Sequence, residues 1–98
     1  MIRLILISML MSASVFGGTH IVEIEAMKFK PETLTVKSGD TITWINKDFF
    51  PHTATAIKFF NSRSIPATKS WSYKAKSPGT FPYKCLFHPT MKGTLIVQ

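Results

Sequence analysis

Beyond its first seventeen residues the chain keeps no helical period, and that narrows the possible folds more than any other property. What recurs is a period of two. Val22, Ile24 and Ala26 alternate with Glu23 and Glu25, and Leu34 and Val36 alternate with Thr33, Thr35 and Lys37. Successive side chains of an extended strand point to opposite faces, so this alternation predicts strands buried on one side. Thr41 to Ile45, Thr53 to Ile57, Ser70 to Ala75 and Thr80 to Cys85 read as further strands, and Leu95 and Val97 share a face of the last. Between them stand turn formers: Ser38-Gly39-Asp40, Asn46-Lys47-Asp48 and Ser77-Pro78-Gly79. Met27 to Pro31 reads as a turn or an edge, because Pro31 cannot donate to a ladder. Lys58 to Thr68 has mixed polarity and reads as a long connection. Short strands at regular spacing predict an all-β fold, an antiparallel Greek-key sandwich or barrel of about seven to eight strands.

The start of the chain is different. Met1-Ile2-Arg3 is a positive n-region, Leu4 to Met11 an apolar h-region, and Ser12 to Gly18 supplies small residues, with Val15 and Gly17 fitting the −3 and −1 positions of a cleavage site. The expected organisation is a signal peptide over residues 1–17, cut somewhere between 14 and 18, and a single domain over 18–98 delivered to the periplasm. The apolar run is short of the roughly 20 residues a spanning helix needs. About 80 residues remain. A domain of that size buries a modest core and commonly needs a disulfide or a metal. With one cysteine, Cys85, it has no internal disulfide. An unpaired thiol in an exported protein is a liability unless it is buried and inert, or occupied.

Its neighbours point to occupation. Cys85, His88 and Met91 follow at intervals of three, and His52 lies upstream in Phe50-Pro51-His52-Thr53. Soft sulfur ligands with imidazole suit copper or zinc, and cysteine with histidines and a weak axial methionine is a blue-copper donor set. Phe81, Tyr83 and Cys85 share one strand face, which turns the thiol inward. Three ligands from one short loop and a fourth from a distant strand end would hold the metal against rearrangement. Phe49, Phe50, Pro51, Leu86, Phe87 and Pro89 are expected to form a dry shell around it.

The chain carries +7, or +6 once Arg3 leaves with the signal. Its lysines are scattered from Lys28 to Lys92 without a basic run, which argues against nucleic acid and fits a solvated surface that could steer an acidic protein partner. His20 reads as a solvated residue of the first strand. If cleavage follows Gly17, however, Gly18-Thr19-His20 could offer an amine, two amides and an imidazole to a second Cu(II).

Taken together, Phe29-x-Pro31, Val36-x2-Gly39-Asp40-Thr41-Ile42-x-Trp44-x-Asn46, Pro51-His52 and Pro78-Gly79-Thr80-Phe81-x-Tyr83-x-Cys85-x2-His88-x2-Met91-x-Gly93 resemble the cupredoxins, in particular the small type I copper proteins of the amicyanin, pseudoazurin and plastocyanin group. The resemblance implies one type I copper, with His52, Cys85 and His88 as equatorial ligands and Met91 as the long axial one. It implies an apolar docking patch around His88 made by Phe50, Pro51, Phe87 and Pro89. It also implies a monomeric electron carrier whose partners are redox proteins (a dehydrogenase, cytochrome or reductase). Copper storage or delivery is the alternative. An oxidase or reductase would need a second metal centre and a substrate pocket, which the sequence does not supply. One departure stands out: relatives commonly carry Asn after the first ligand histidine, where this chain has Thr53. A hydroxyl can both donate and accept, so it could still brace the cysteine loop.

Overall fold

The structure, a computed structural model, describes residues 17–98; the signal peptide expected over residues 1–17 lies outside them but for Gly17. Nine strands and no helix occur among the described residues: β1 Thr19–Glu25, β2 Lys28–Lys30, β3 Thr33–Val36, β4 Thr41–Asn46, β5 Thr55–Ala56, β6 Phe60–Asn61, β7 Ser70–Lys74, β8 Gly79–Lys84 and β9 Lys92–Val97. They form two sheets, ordered β2-β1-β4-β7 and β3-β9-β8-β5-β6. The inward residues of both sheets make one core, in which Val22 and Ile24 of β1, Ile42 and Trp44 of β4, and Leu95 and Val97 of β9 are buried.

The expected sandwich is present, but it is not wholly antiparallel. β1 runs parallel to β4 and β3 parallel to β9. The reason lies in the route of the chain. After the β1–β2 hairpin it crosses to the second sheet for β3, then re-enters beside the start of β1, where the Thr41 N–H donates to the Gly18 carbonyl over 2.9 Å. No pattern along one strand records such a return.

Three local expectations also change. Strand β1 stops at Glu25, and Ala26 is exposed. Ala26 and Met27 both take left-handed backbone, at φ 54° and 64°, in the two-residue turn to β2. That is the primed geometry matching the twist of a hairpin, adopted here by two non-glycine residues at a cost in strain. Asn46 is not a turn residue but the buried end of β4. The segment 58–68 is no plain connection, since it carries β6 and buries Phe60 and Ile65. Phe60 joins Trp44, Trp71, Tyr73 and Tyr83 in an aromatic cluster, with Trp44 edge-on to Tyr83 at 5.4 Å.

Candidate metal centre

At one end of the sandwich, the β4–β5 and β8–β9 connections bring the sequence-predicted donors together. Cys85 directly follows β8 and is wholly buried, as is His52, while Met91 is buried and His88 half-buried. The Cys85 Sγ lies 3.7 Å from His52 Nδ1 and 4.0 Å from His88 Nδ1. The nearest donor atoms of these three residues all lie within 4.8 Å of one another. Met91 is tied into the same loop: its N–H donates to the His88 carbonyl (2.9 Å) and its carbonyl accepts from Cys85 N–H (3.1 Å). Two imidazole nitrogens turned toward one buried sulfur form a cradle for a soft or borderline cation.

His52 is positioned by groups the sequence reading passed over. It forms an isolated bridge with Ile65, donating to that carbonyl over 3.2 Å and accepting from that N–H over 2.8 Å. Asn46 holds the same loop from inside, its Nδ2 donating to the carbonyls of Phe50 and Ile65, each at 2.9 Å. Its Oδ1 accepts from the Asp48 N–H at 2.9 Å. Asp48 in turn places Oδ2 2.8 Å from His52 Nε2, the nitrogen facing away from the sulfur. A metal-ligating histidine characteristically gives its second ring nitrogen to such an acceptor, which fixes the tautomer and ring orientation. A carboxylate four residues before a candidate ligand was the signal that could have revealed it.

The same carboxylate accepts the N–H groups of Ala26 (2.8 Å) and Met27 (3.1 Å), so it fastens the strained β1–β2 turn as well as the imidazole. Burial pushes the Asp48 carboxyl up, but the Met27 N–H, the His52 imidazole and the Ala26 N–H outweigh it and hold the group below its ordinary value.

Thr53 performs the bracing that its departure from the family pattern put in question. Its N–H donates to Cys85 Sγ at 3.3 Å, and its hydroxyl accepts from the Leu86 N–H at 2.9 Å. The hydroxyl also lies 3.0 Å from Thr55 Oγ1, whose proton goes to Asn61 Oδ1 at 3.0 Å. Thr55 having spent its proton, Thr53 must donate to it. A one-way chain results, from Leu86 N–H through two threonine hydroxyls to Asn61.

The expected dry shell is corrected. Phe49 is 92% exposed, and Phe50, Leu86 and Phe87 are exposed by 44–51%. The inner shell is instead His52, Thr53, Met91 and the surrounding core, while Phe50, Pro51, Phe87 and Pro89 lie at the surface around His88. Phe50 packs against both histidines, with ring centres 5.2 Å and 6.0 Å away. The folded chain also commits Gly18-Thr19-His20 elsewhere: Gly18 N–H donates to Asp40, and Thr19 and His20 pair with Thr41 and Ile42.

Fold and donor set together define a β-sandwich with a sulfur–nitrogen metal cradle at one end. The cupredoxin-like domain family model matches residues 1–97, and the chain belongs to that family. Amicyanin of Paracoccus denitrificans is 31% identical over 93 residues, covering 89% of this chain and 71% of that protein. Plastocyanin of Scenedesmus fuscus is 34% identical over 88 residues, covering 74% and 89%. A Cu(I) form of an amicyanin mutant superposes with a TM-score of 0.78 at 30% identity over 89% of each chain. A copper-containing nitrite reductase from Thermus scotoductus superposes at 0.76 with 24% identity, over 82% of this chain and 22% of the reductase, a likeness of fold alone.

Proposed function

We propose that this protein is a soluble periplasmic one-electron carrier whose single type I copper would be held by His52, Cys85 and His88, with the Met91 thioether as a fourth, weaker donor. The observation that carries this reading is the buried Cys85 sulfur facing two imidazole Nδ1 atoms while accepting the Thr53 N–H. Copper bound there would supply a one-electron couple. The chain supplies the rest. Asp48 and Ile65 fix His52, the Thr53 hydroxyl fixes the turn after Cys85, and Met91 closes the loop onto Cys85 and His88. Ligands that cannot shift between oxidation states keep reorganisation small.

Half-exposed His88 is the port for electrons, and exposed Phe50, Pro51, Phe87 and Pro89 are the docking patch for a redox protein. The scattered lysines favour an acidic partner surface. Storage or delivery would need a metal that leaves readily, which a fully buried thiolate and imidazole oppose. The test is a chelator challenge of copper-loaded protein in both oxidation states, with a redox titration alongside. Retention in both states and one reversible electron per chain support the carrier; rapid loss on reduction would hand the site to delivery instead.

A further inference from the structure

Asp40, between β3 and β4, is a carboxylate with little access to solvent, 7% exposed, and no lysine or arginine pairs with it among the described residues. Both of its oxygens are engaged. Oδ1 takes the Gly18 N–H at 2.7 Å, and Oδ2 takes the Lys37 N–H at 3.0 Å and lies 2.9 Å from His20 Nε2. The shortest of the three contacts falls on residue 18, the position that follows the cleavage site expected after Gly17.

We propose that Asp40 is the socket for the mature N-terminus: removal of the leader after Gly17 turns the Gly18 nitrogen into an α-ammonium that pairs with the Asp40 carboxylate. Hydrolysis of the Gly17–Gly18 peptide bond consumes one water, which leaves its oxygen on the Gly17 carboxylate and its protons with the new amine. An amide contact thereby becomes a charge-assisted one, the stronger kind. Gly17 lies against the Gly39 carbonyl, where an added Cβ would collide, so its departure also uncovers that carbonyl. The titratable and charged residues nearest on the surrounding elements are His20 of β1, Lys37 of the turn, and Lys74 and Lys76 around the end of β7, with Glu23 and Glu25 further along β1; among the described residues only the His20 imidazole lies within ion-pair distance of Asp40. Processing would thus lock β1 to the start of β4 and tie stability to correct cleavage.

The test compares the chain beginning at Gly18 with one beginning at Gly17, each with Asp40 and with Asp40→Asn. Both starts carry the same charge, and only one places the ammonium at the carboxylate. The substitution should lower the folding constant about tenfold more in the Gly18 chain. The difference should be complete below the ordinary α-amino range of about 7.7–8.0 and be lost as pH rises from there through the amine's higher folded-state value, because a cation stabilised by folding titrates later in the folded chain. A direct NMR titration of the Gly18 amine needs no variant and should find it above that range. Equal losses in the two chains, an amine titrating in the ordinary range, or an exported protein whose mass places its start at another residue would each overturn the proposal.

Discussion

Replacing Thr53 with Val isolates the brace on the cysteine loop. Valine keeps the shape and β-branching of threonine and leaves the Thr53 N–H bond to Cys85 Sγ in place. Only the hydroxyl goes. The Leu86 N–H then loses its acceptor in a part-buried setting, and Thr55 loses one donor while keeping Asn61. Stranding one part-buried donor falls toward the low end of about 1–3 kcal/mol, and interrupting a polarised chain raises the effect to about 2 kcal/mol. A domain of this size shifts by about 4–8 °C per kcal/mol, so the melting temperature should fall by about 8–16 °C. Guanidinium unfolding of the copper-free protein is the assay, with the midpoint displaced and the slope unchanged. Copper-free measurement keeps metal affinity out of the comparison. A loss below about 0.5 kcal/mol would refute the reasoning, because it would mean that water serves Leu86 as well as the hydroxyl does.

Three other substitutions probe the frame around the site. Asp48→Asn can still face His52 but turns an amide group toward the Ala26 and Met27 N–H donors; copper affinity, measured by competition, should drop about 10–100-fold. Gly93→Ala drives a methyl onto the Tyr83 ring, which burial fixes in the core; the overpacking should cost about 1–3 kcal/mol in denaturant unfolding. Asp40 is held at about 2, below its ordinary 3.8, by the Lys37 N–H, His20 and the Gly18 N–H. A depressed folded-state value means its contribution is complete above pH 3.8 and lost as pH falls through about 2. Unfolding curves across that window should therefore fall more steeply for the parent than for Asp40→Asn.

The alternating runs around Val22, Ile42 and Leu95 made the sheets legible, because a half-buried strand writes its period directly into sequence. Cys85, His88 and Met91 were legible for a similar reason: one short loop holds them at fixed spacing. What stayed hidden depends on groups far away along the chain. Asn46 beside Lys47 and Asp48 has the composition of a turn, and the carbonyls of Phe50 and Ile65 together with the Asp48 N–H make its burial tolerable. Phe60 follows an equally apolar but exposed Phe59, and Ile65 stands between Ser64 and Pro66, so no period marks either as core. The apolar character of the phenylalanines near the site predicts a dry interior. Phe49, almost wholly exposed, shows that hydrophobicity beside a site does not decide which way a side chain faces.

The most direct test of the central claim is the visible absorption spectrum of the mature protein after one equivalent of Cu(II), recorded beside Cys85→Ser. The account predicts an intense blue thiolate-to-copper charge-transfer band at a stoichiometry of one, abolished by the substitution. A weak spectrum that Cys85→Ser leaves unchanged would place copper away from the Cys85 cradle and contradict the electron-carrier reading.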